Sequence, residues 1–369
     1  MKEGWKQLGS IADIYNGDSI NAEYKKTHFV GIEEGYPFIA TKDVSPEGAV
    51  DYNNGVKIPA DAGLKVAPSD SVFVCAEGGS AGKKIAYIEQ EVCFGNKLFC
   101  IATKDKTKYS SKYIYYFCRS EKFRNQFFGE LTGLIGGVSS KKFKGIECPF
   151  PHLSEQERIV SYLDAQFAKI DALKANTEKQ LQAAKDLFQS ALKEYLTPKE
   201  GWIKGCLGDF LNFRRGYDLT HAEMKEGDVP VAGSSGIIGY HNEATNISPC
   251  ITVGRSGSVG KLNIYDKCWA HNTTLFVDDF KGNDPYFLAY LIQSLGVGSY
   301  SGGSAVPSLN RNYIHPIPTA VPFSKKEQRD IVDILDTLSD KVALLQANYD
   351  QTITLCNDLK QSLLKSIFE

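Results

Sequence analysis

Pro149-Phe150-Pro151, followed by Glu155-Gln156 and Ile159-Val160-Ser161-Tyr162-Leu163-Asp164, reads as a globular segment running into a long helix. The same order returns at Pro316-Ile317-Pro318, Glu327-Gln328 and Ile331-Val332-Asp333-Ile334-Leu335-Asp336. A signature that recurs with its parts in order points to an internal repeat. Working outward, Glu3-Gly4-Trp5, Leu8-Gly9 and a closing Gly17 match Glu200-Gly201-Trp202, Leu207-Gly208 and Gly216. Between opening and ending lies a third block. Ser71–Val74, Gly78-Gly79-Ser80-Ala81-Gly82-Lys83, Asn96 and Leu98-Phe99 match Cys250–Val253, Gly254–Lys261, Asn272 and Leu275-Phe276. Three matched blocks in one order make the chain two copies of one module, each a globular part followed by a helix.

The globular parts read as α+β. Short β-branched runs at Ser71–Val74, Leu98–Ala102, Ile251–Val253 and Thr274–Val277 are expected strands between Gly, Asn and Asp turns. A short helix is expected at Lys112–Arg119 in one copy and Pro285–Ser294 in the other. Gly133–Gly137 and Gly298–Gly303 should be loops.

The helices give the clearest local signal. Ser154-x-x-Glu157 and Ser324-x-x-Glu327 have the form of capping boxes, and Pro151 and Pro322 discourage an earlier start. Ile331, Leu335, Leu338, Val342, Leu345, Tyr349, Thr352, Cys356, Leu359 and Leu363 alternate steps of four and three, a heptad seam. The first helix carries Leu163, Ile170, Leu173, Thr177, Ala184, Leu187 and Ala191, with Phe167, Leu181 and Phe188 beside them. Some 40 residues of helix make a rod of roughly 60 Å. The residues expected from this pattern to pair the helices or dock partners are Leu163, Ile170, Leu173, Leu187, Leu335, Val342, Leu345 and Leu359. Two seams of matched length, each after a similar globular part, suit an antiparallel coiled coil within one chain. Pairing with a second chain is the other arrangement. The expected fold is two repeated globular domains, 1–152 and 198–322, separated by two long helices, 153–197 and 323–369, in pseudo-twofold relation.

Composition is that of a soluble globular protein, with 42% hydrophobic and 23% charged residues. No run of about eighteen apolar residues offers a membrane span. Met1–Leu8 lacks the apolar stretch of a secretion signal, so the chain is expected in the cytoplasm. There the nine cysteines, with no Cys-x-x-Cys pair, should be reduced and mostly buried. Net charge is −2, and both globular parts carry nearly as many acidic as basic side chains, which argues mildly against a phosphate-binding surface.

Catalytic motifs are missing. Gly78–Lys84 resembles a phosphate-binding loop, but Glu77 stands in place of the first Gly and Lys84 in place of the hydroxyl that would hold magnesium. In the second copy Arg255 and Leu262 fail at the same places. Asp266, Asp279 and Lys281 have loose nuclease spacing, yet the first copy has no equivalent and Asp278–Asp284 reads as a solvated turn. There is no Asn/Asp-Pro-Pro-aromatic segment for adenine methylation. The six histidines show no ligand spacing, and no metal site is expected.

What remains is a set of small polar and basic residues in loops of both copies. In the first they are Lys83, Lys84, Asn96, Ser139, Ser140, Lys141, Lys142 and Lys144. In the second they are Arg214, Arg215, Arg255, Ser256, Lys261, His271, Asn272, Asn310 and Arg311. Individually each is an ordinary solvated side chain. Together they are what groove readout uses: Arg or Lys for guanine, Asn for adenine, others for phosphate.

Two diverged domains that open on a Trp and a Leu-Gly…Gly segment, and end on Pro-x-Pro, Glu-Gln and a long helix, resemble the DNA-specificity subunits of type I restriction–modification enzymes. The resemblance covers essentially the whole chain. It implies a non-catalytic subunit that binds a split double-stranded DNA target, one half-site per target-recognition domain, and docks two methyltransferase subunits. S-adenosylmethionine would sit on those partners, with no cofactor on this chain, and a translocating restriction subunit can join. The near-neutral charge departs from expectation and leaves much of the phosphate binding to the partners. A coiled-coil adaptor without DNA would explain the helices and the charge, but not the paired loop-bearing domains.

Overall fold

The computed structural model describes residues 4–131, 136–245, 248–302 and 307–369. Backbone packing divides the chain into two units, Met1–Asn176 with Asp350–Glu369, and Thr177–Tyr349. The boundaries fall inside the two long helices, Leu153–Leu196 and Lys325–Phe368, so each unit contains part of both. No helix among the described residues is long and apolar enough to cross a membrane.

In the first unit a four-stranded antiparallel sheet runs in the order Ala12–Asn16, Leu98–Thr103, Ser71–Cys75, Ile85–Ile88. The Ser71–Cys75 run is buried throughout because both faces of the sheet are covered. Side chains alternate across a strand. Val72 and Val74 therefore face the helices Ser111–Cys118 and Glu121–Gly129, while Phe73 and Cys75 face a second, smaller sheet. That sheet orders Lys57–Ile58, Tyr36–Ile39, Val92–Phe94 and Val66–Ala67.

The second unit repeats the plan. Asn212–Arg215, Thr274–Asp279, Cys250–Gly254 and Leu262–Tyr265 form its four-stranded sheet, with the helix Pro285–Ser294 on one face. Gly236–His241, Val229–Gly233 and Trp269–Ala270 form the smaller sheet. The strands extend one or two residues beyond the runs read from sequence. The helices Ala22–His28 and Glu121–Gly129 carry no signal in the matched blocks. Of the glycine-rich loops, Gly133 to Ile135 and Gly303 lie outside the described residues; Gly137 bridges Glu77, and Val297–Tyr300 is a short 3-10 turn.

The matched motifs are matched backbone contacts. Leu8 donates its amide to Ile146 and Leu207 to Ile317, each at 2.9 Å. A side chain on Gly17 would meet the Phe94 carbonyl oxygen at 2.0 Å, and one on Gly216 the His271 carbonyl oxygen at 2.1 Å. Only glycine permits either approach. A two-stranded ladder closes each globular part: Trp5–Gln7 pairs Glu147–Pro149, and Ile203–Cys206 pairs Pro318–Val321.

Each long helix is tied to its domain twice. Gln156 and Gln328 are buried in hydrogen bonds at the helix starts. About two turns on, Asp164 accepts from Tyr116 and, at 2.7 Å, from Lys112; Asp336 accepts from Tyr290 at 2.6 Å. The expected capping boxes do not form. The first helix starts at Leu153, with His152 accepting the Glu155 and Gln156 amides, so Ser154 is already inside. Ser324 does cap the Lys326 amide at 3.2 Å, but Glu327 turns to the Trp202 indole at 2.9 Å.

The helices run antiparallel within each unit. In the first, Leu163 and Phe167 share a core with Leu364 and Phe368, and Asp171 pairs Lys360 at 2.5 Å. In the second, Phe188, Leu192 and Leu196 pack with Ile331, Val332 and Leu335, and Lys185 donates to Gln346 at 2.8 Å. Leu163, Ile170 and Leu335 are buried as expected, and Val342 and Leu345 half-buried. Leu173, Leu187 and Leu359 lie outside the buried part of the seam: they are 55%, 60% and 50% exposed. The seam passes one position later, through Lys174, Phe188 and Lys360, whose ammonium nitrogen lies 5.0 Å from the Phe167 ring centre. A long aliphatic stem fills a seam as a leucine does while its charge reaches a partner.

Seven cysteines are free and six of them buried; burial pushes the Cys93 and Cys100 thiols up to about 11. Cys250 and Cys268 are instead joined as a disulfide, Cα to Cα 6.1 Å, contrary to the expectation of reduced thiols throughout.

Candidate nucleic-acid interface

In the second globular part, four chain segments converge on one concavity of about 350 Å³ lined by Arg214, Arg215, Arg255, Asn310 and Arg311. Leu275 and Leu309 supply its apolar lining. Arg214 and Arg215 end the edge strand, immediately before the close approach at Gly216. Arg255 follows the central strand. Its amide donates to the Thr273 carbonyl and its carbonyl accepts from Leu309, each at 2.8 Å. Asn310 caps the Asn312 amide at 3.0 Å at the start of the short helix Arg311–Ile314.

The guanidiniums are held from behind. Arg215 pairs Asp218 at 3.3 Å, and the same carboxylate accepts the Asn272 side-chain amide. Arg214 lies 5.5 Å from the Tyr217 ring centre, and Arg311 donates to the Phe213 carbonyl at 3.3 Å. Among the described residues Arg214, Arg255 and Arg311 have no carboxylate partner. His315 supports the same strand: its Nε2 accepts the Phe213 amide at 3.0 Å. Burial, with the charges of Arg311 and Lys281 nearby, holds its pKa below the ordinary 6.5.

Other expected residues of this copy lie outside the concavity. Lys261 donates to the Ser235 carbonyl at 2.6 Å, and His271 bonds Thr273 at 3.0 Å. Ser256 pairs backbone with Ser308.

The first globular part repeats the backbone hydrogen bonds that frame this concavity, with different side chains on them. Ala76 donates to the Lys97 carbonyl at 2.8 Å and accepts from Val138 at 3.2 Å, just as Arg255 donates to Thr273 and accepts from Leu309. Ser139 caps Ser140–Lys144, as Asn310 caps Arg311–Ile314. Asn16 stands where Arg215 does, its amide donating to the Asn96 carbonyl at 2.9 Å. The positions of the first copy that correspond to Arg215, Arg255, Asn310 and Arg311 are therefore Asn16, Ala76, Ser139 and Ser140, with no arginine among them.

The lysines expected here separate. Lys83 donates to its own turn at Gly79, 3.1 Å, and Lys84 to the Thr41 carbonyl, 2.9 Å. Lys142 pairs Glu130 at 2.9 Å and lines a different concavity with Lys141 and Ser139. Lys144 packs over Gly9. Asn96 lines a concavity of about 240 Å³ with Lys25, Lys42 and Lys97. Lys25 and Lys42 escaped the sequence reading because they lie between the matched blocks, where repeat comparison has nothing to align.

The model of the type I restriction modification DNA specificity domain matches residues 2–183 and again 199–355. A chain from a structural study of complex assembly and conformational transition of the type I R-M system is similar in fold: TM-score 0.78 and 17% identity over 99% of this chain and 97% of that one. The HsdS subunit from Thermoanaerobacter tengcongensis gives TM-score 0.56 and 17% identity over 100% and 97%. At that identity the likeness is one of fold. No curated protein sequence matches the chain.

Proposed function

The chain belongs to the type I restriction modification DNA specificity family, and from that premise we propose that its two globular domains each read one half of a split duplex target. The observation that carries this reading is the shared backbone cup bearing different side chains in the two copies. One scaffold with two sets of donors is what two unlike half-sites require, because phosphate contacts position a protein and base-edge contacts specify. The chain supplies recognition, and the methyl transfer to adenine, with its S-adenosylmethionine, belongs to two partner methyltransferase subunits; a restriction or translocase subunit joins them.

The partners have a face to dock on. In the first unit Tyr162, Leu173, Leu355 and Leu359 are exposed, each one position before a seam residue: Leu163, Lys174, Cys356 and Lys360. In the second unit Leu187, Ile334 and Leu344 stand likewise before Phe188, Leu335 and Leu345. One residue is about 100° of helix. In an antiparallel pair, that step back from the seam turns both helices toward the same side. An apolar stripe outside the seam marks an interaction surface, and we assign it to the methyltransferases.

Affinity purification of the tagged chain from its host, with methylome sequencing of cells with and without the gene, tests the proposal. Co-purifying methyltransferase and loss of methylation at one bipartite motif support it. No partner and an unchanged methylome would overturn it.

A further inference from the structure

The second domain's cup points to the bases it reads, an inference that rests on the DNA reading above. Arg215 is braced by Asp218 at 3.3 Å, Arg214 lies against Tyr217, and Arg311 is held to the Phe213 carbonyl. Arg255 enters from a backbone fixed on both sides by hydrogen bonds of 2.8 Å. The guanidiniums of Arg214, Arg215 and Arg311 are held by these partners, and Arg255 is placed at the cup by its backbone. A phosphate is served by a mobile cation as well as by a held fork, and the Asp218 carboxylate beside Arg215 would repel one. Orientation matters greatly to a base edge. Guanine presents O6 and N7 side by side in the major groove, and the rigid guanidinium fork matches that pair of acceptors. The Asp218 carboxylate holds one terminal nitrogen of the Arg215 fork at 3.3 Å.

We propose that the second domain reads a half-site containing guanine, with Arg215 and Arg255 making the base contacts. The equivalent positions of the first domain, Asn16 and Ala76, offer no such fork, so its half-site is chosen by other chemistry.

The test selects duplexes carrying a random segment with the full chain in the complex that purifies from its host. Wild type is compared with Arg215→Ala, Arg255→Ala and the corresponding Lys variants. The expected result is a two-block consensus in which these variants relax guanine positions in one block. Discrimination at each position should fall about 5- to 150-fold. Lysine should restore it only in part, because it keeps the charge and can donate to O6 or N7 but lacks the fork. Circular dichroism of the Lys variants checks that they fold. A consensus whose affected block has no guanine would overturn the assignment while leaving DNA recognition standing. So would variants that weaken every sequence alike and are rescued by Lys, the mark of a phosphate contact. Failure of the wild-type complex to enrich any sequence would overturn both.

Discussion

Gln328 accepts a hydrogen bond from the backbone amide of Asp284 at 2.7 Å, at the N-cap of the helix Pro285–Ser294. Its own amide donates to Asn283 at 2.9 Å and to the Pro322 carbonyl at 3.0 Å. Gln156 repeats the arrangement with Ser110 at 2.9 Å, Lys108 at 3.0 Å and Pro151 at 2.8 Å. Both side chains are buried, so each long helix starts from a fixed point on its domain.

Replacing Gln328 or Gln156 by leucine should therefore strand buried backbone groups. The expected cost is about 1–3 kcal/mol, read as a lower urea midpoint. Unchanged stability would mean that the clamp is not needed to seat the helix.

The docking stripe gives a second expectation. Leu173→Asp with Leu359→Asp should abolish co-purification of a methyltransferase while leaving circular dichroism and melting unchanged, since both sites are at least half exposed. Leu163→Asp, at a fully buried position, should unfold the first unit instead. Retained co-purification in the double variant would place the partner elsewhere.

His315 adds a pH dependence. The folded state holds it neutral, below the ordinary 6.5, whereas the unfolded chain takes up the proton near that value. Its contribution is therefore complete above pH 6.5 and is lost as the pH falls through the folded value. Wild type should melt at lower temperature on going from pH 7.5 to about 5.5. His315→Gln, which keeps an acceptor for the Phe213 amide, should show a smaller drop; an equal drop would exclude His315 as the cause.

The paired helices should also act as a ruler. One heptad added to each keeps the seam in register and lengthens the rod by about 10 Å. That is roughly three base pairs at ~3.4 Å each, with about 100° of added helical turn. The expected outcome in a randomised-spacing library is a longer preferred spacer with unchanged half-sites, or much weaker binding. Unchanged spacing at full affinity would show that the helices do not set the distance.

The repeat was legible because its signature residues are tied to main chain. Gly17 and Gly216 are required by carbonyls about 2 Å from where a side chain would begin, and Gln156 and Gln328 by buried amides. The helix seam was legible only in part. An apolar search selects Leu173 and Leu359 over their neighbours, yet Lys174 and Lys360 occupy the seam, and nothing in a hydropathy pattern shows that Asp171 will meet Lys360. The arginine cup was legible as residue types, because Arg214, Arg215, Arg255 and Arg311 flank matched blocks. The lysines of the first copy were not sorted: Lys84 and Lys142 are held within the protein by partners far off in sequence, Thr41 and Glu130. Lys25 and Lys42 carry no repeat at all.

The two-stranded ladders that close each globular part have a consequence for divergence. When the ends of a segment are hydrogen-bonded to each other, as Ile203–Cys206 is to Pro318–Val321, what lies between can change length and content without moving its neighbours. The chain shows this within itself. Its first copy carries the helices Ala22–His28 and Glu121–Gly129 where the second has the short 3-10 turns His221–Glu223 and Val297–Tyr300, yet Trp5–Gln7 and Glu147–Pro149 make the same closure. Each copy is a cassette with a standard base, free to be rewritten inside.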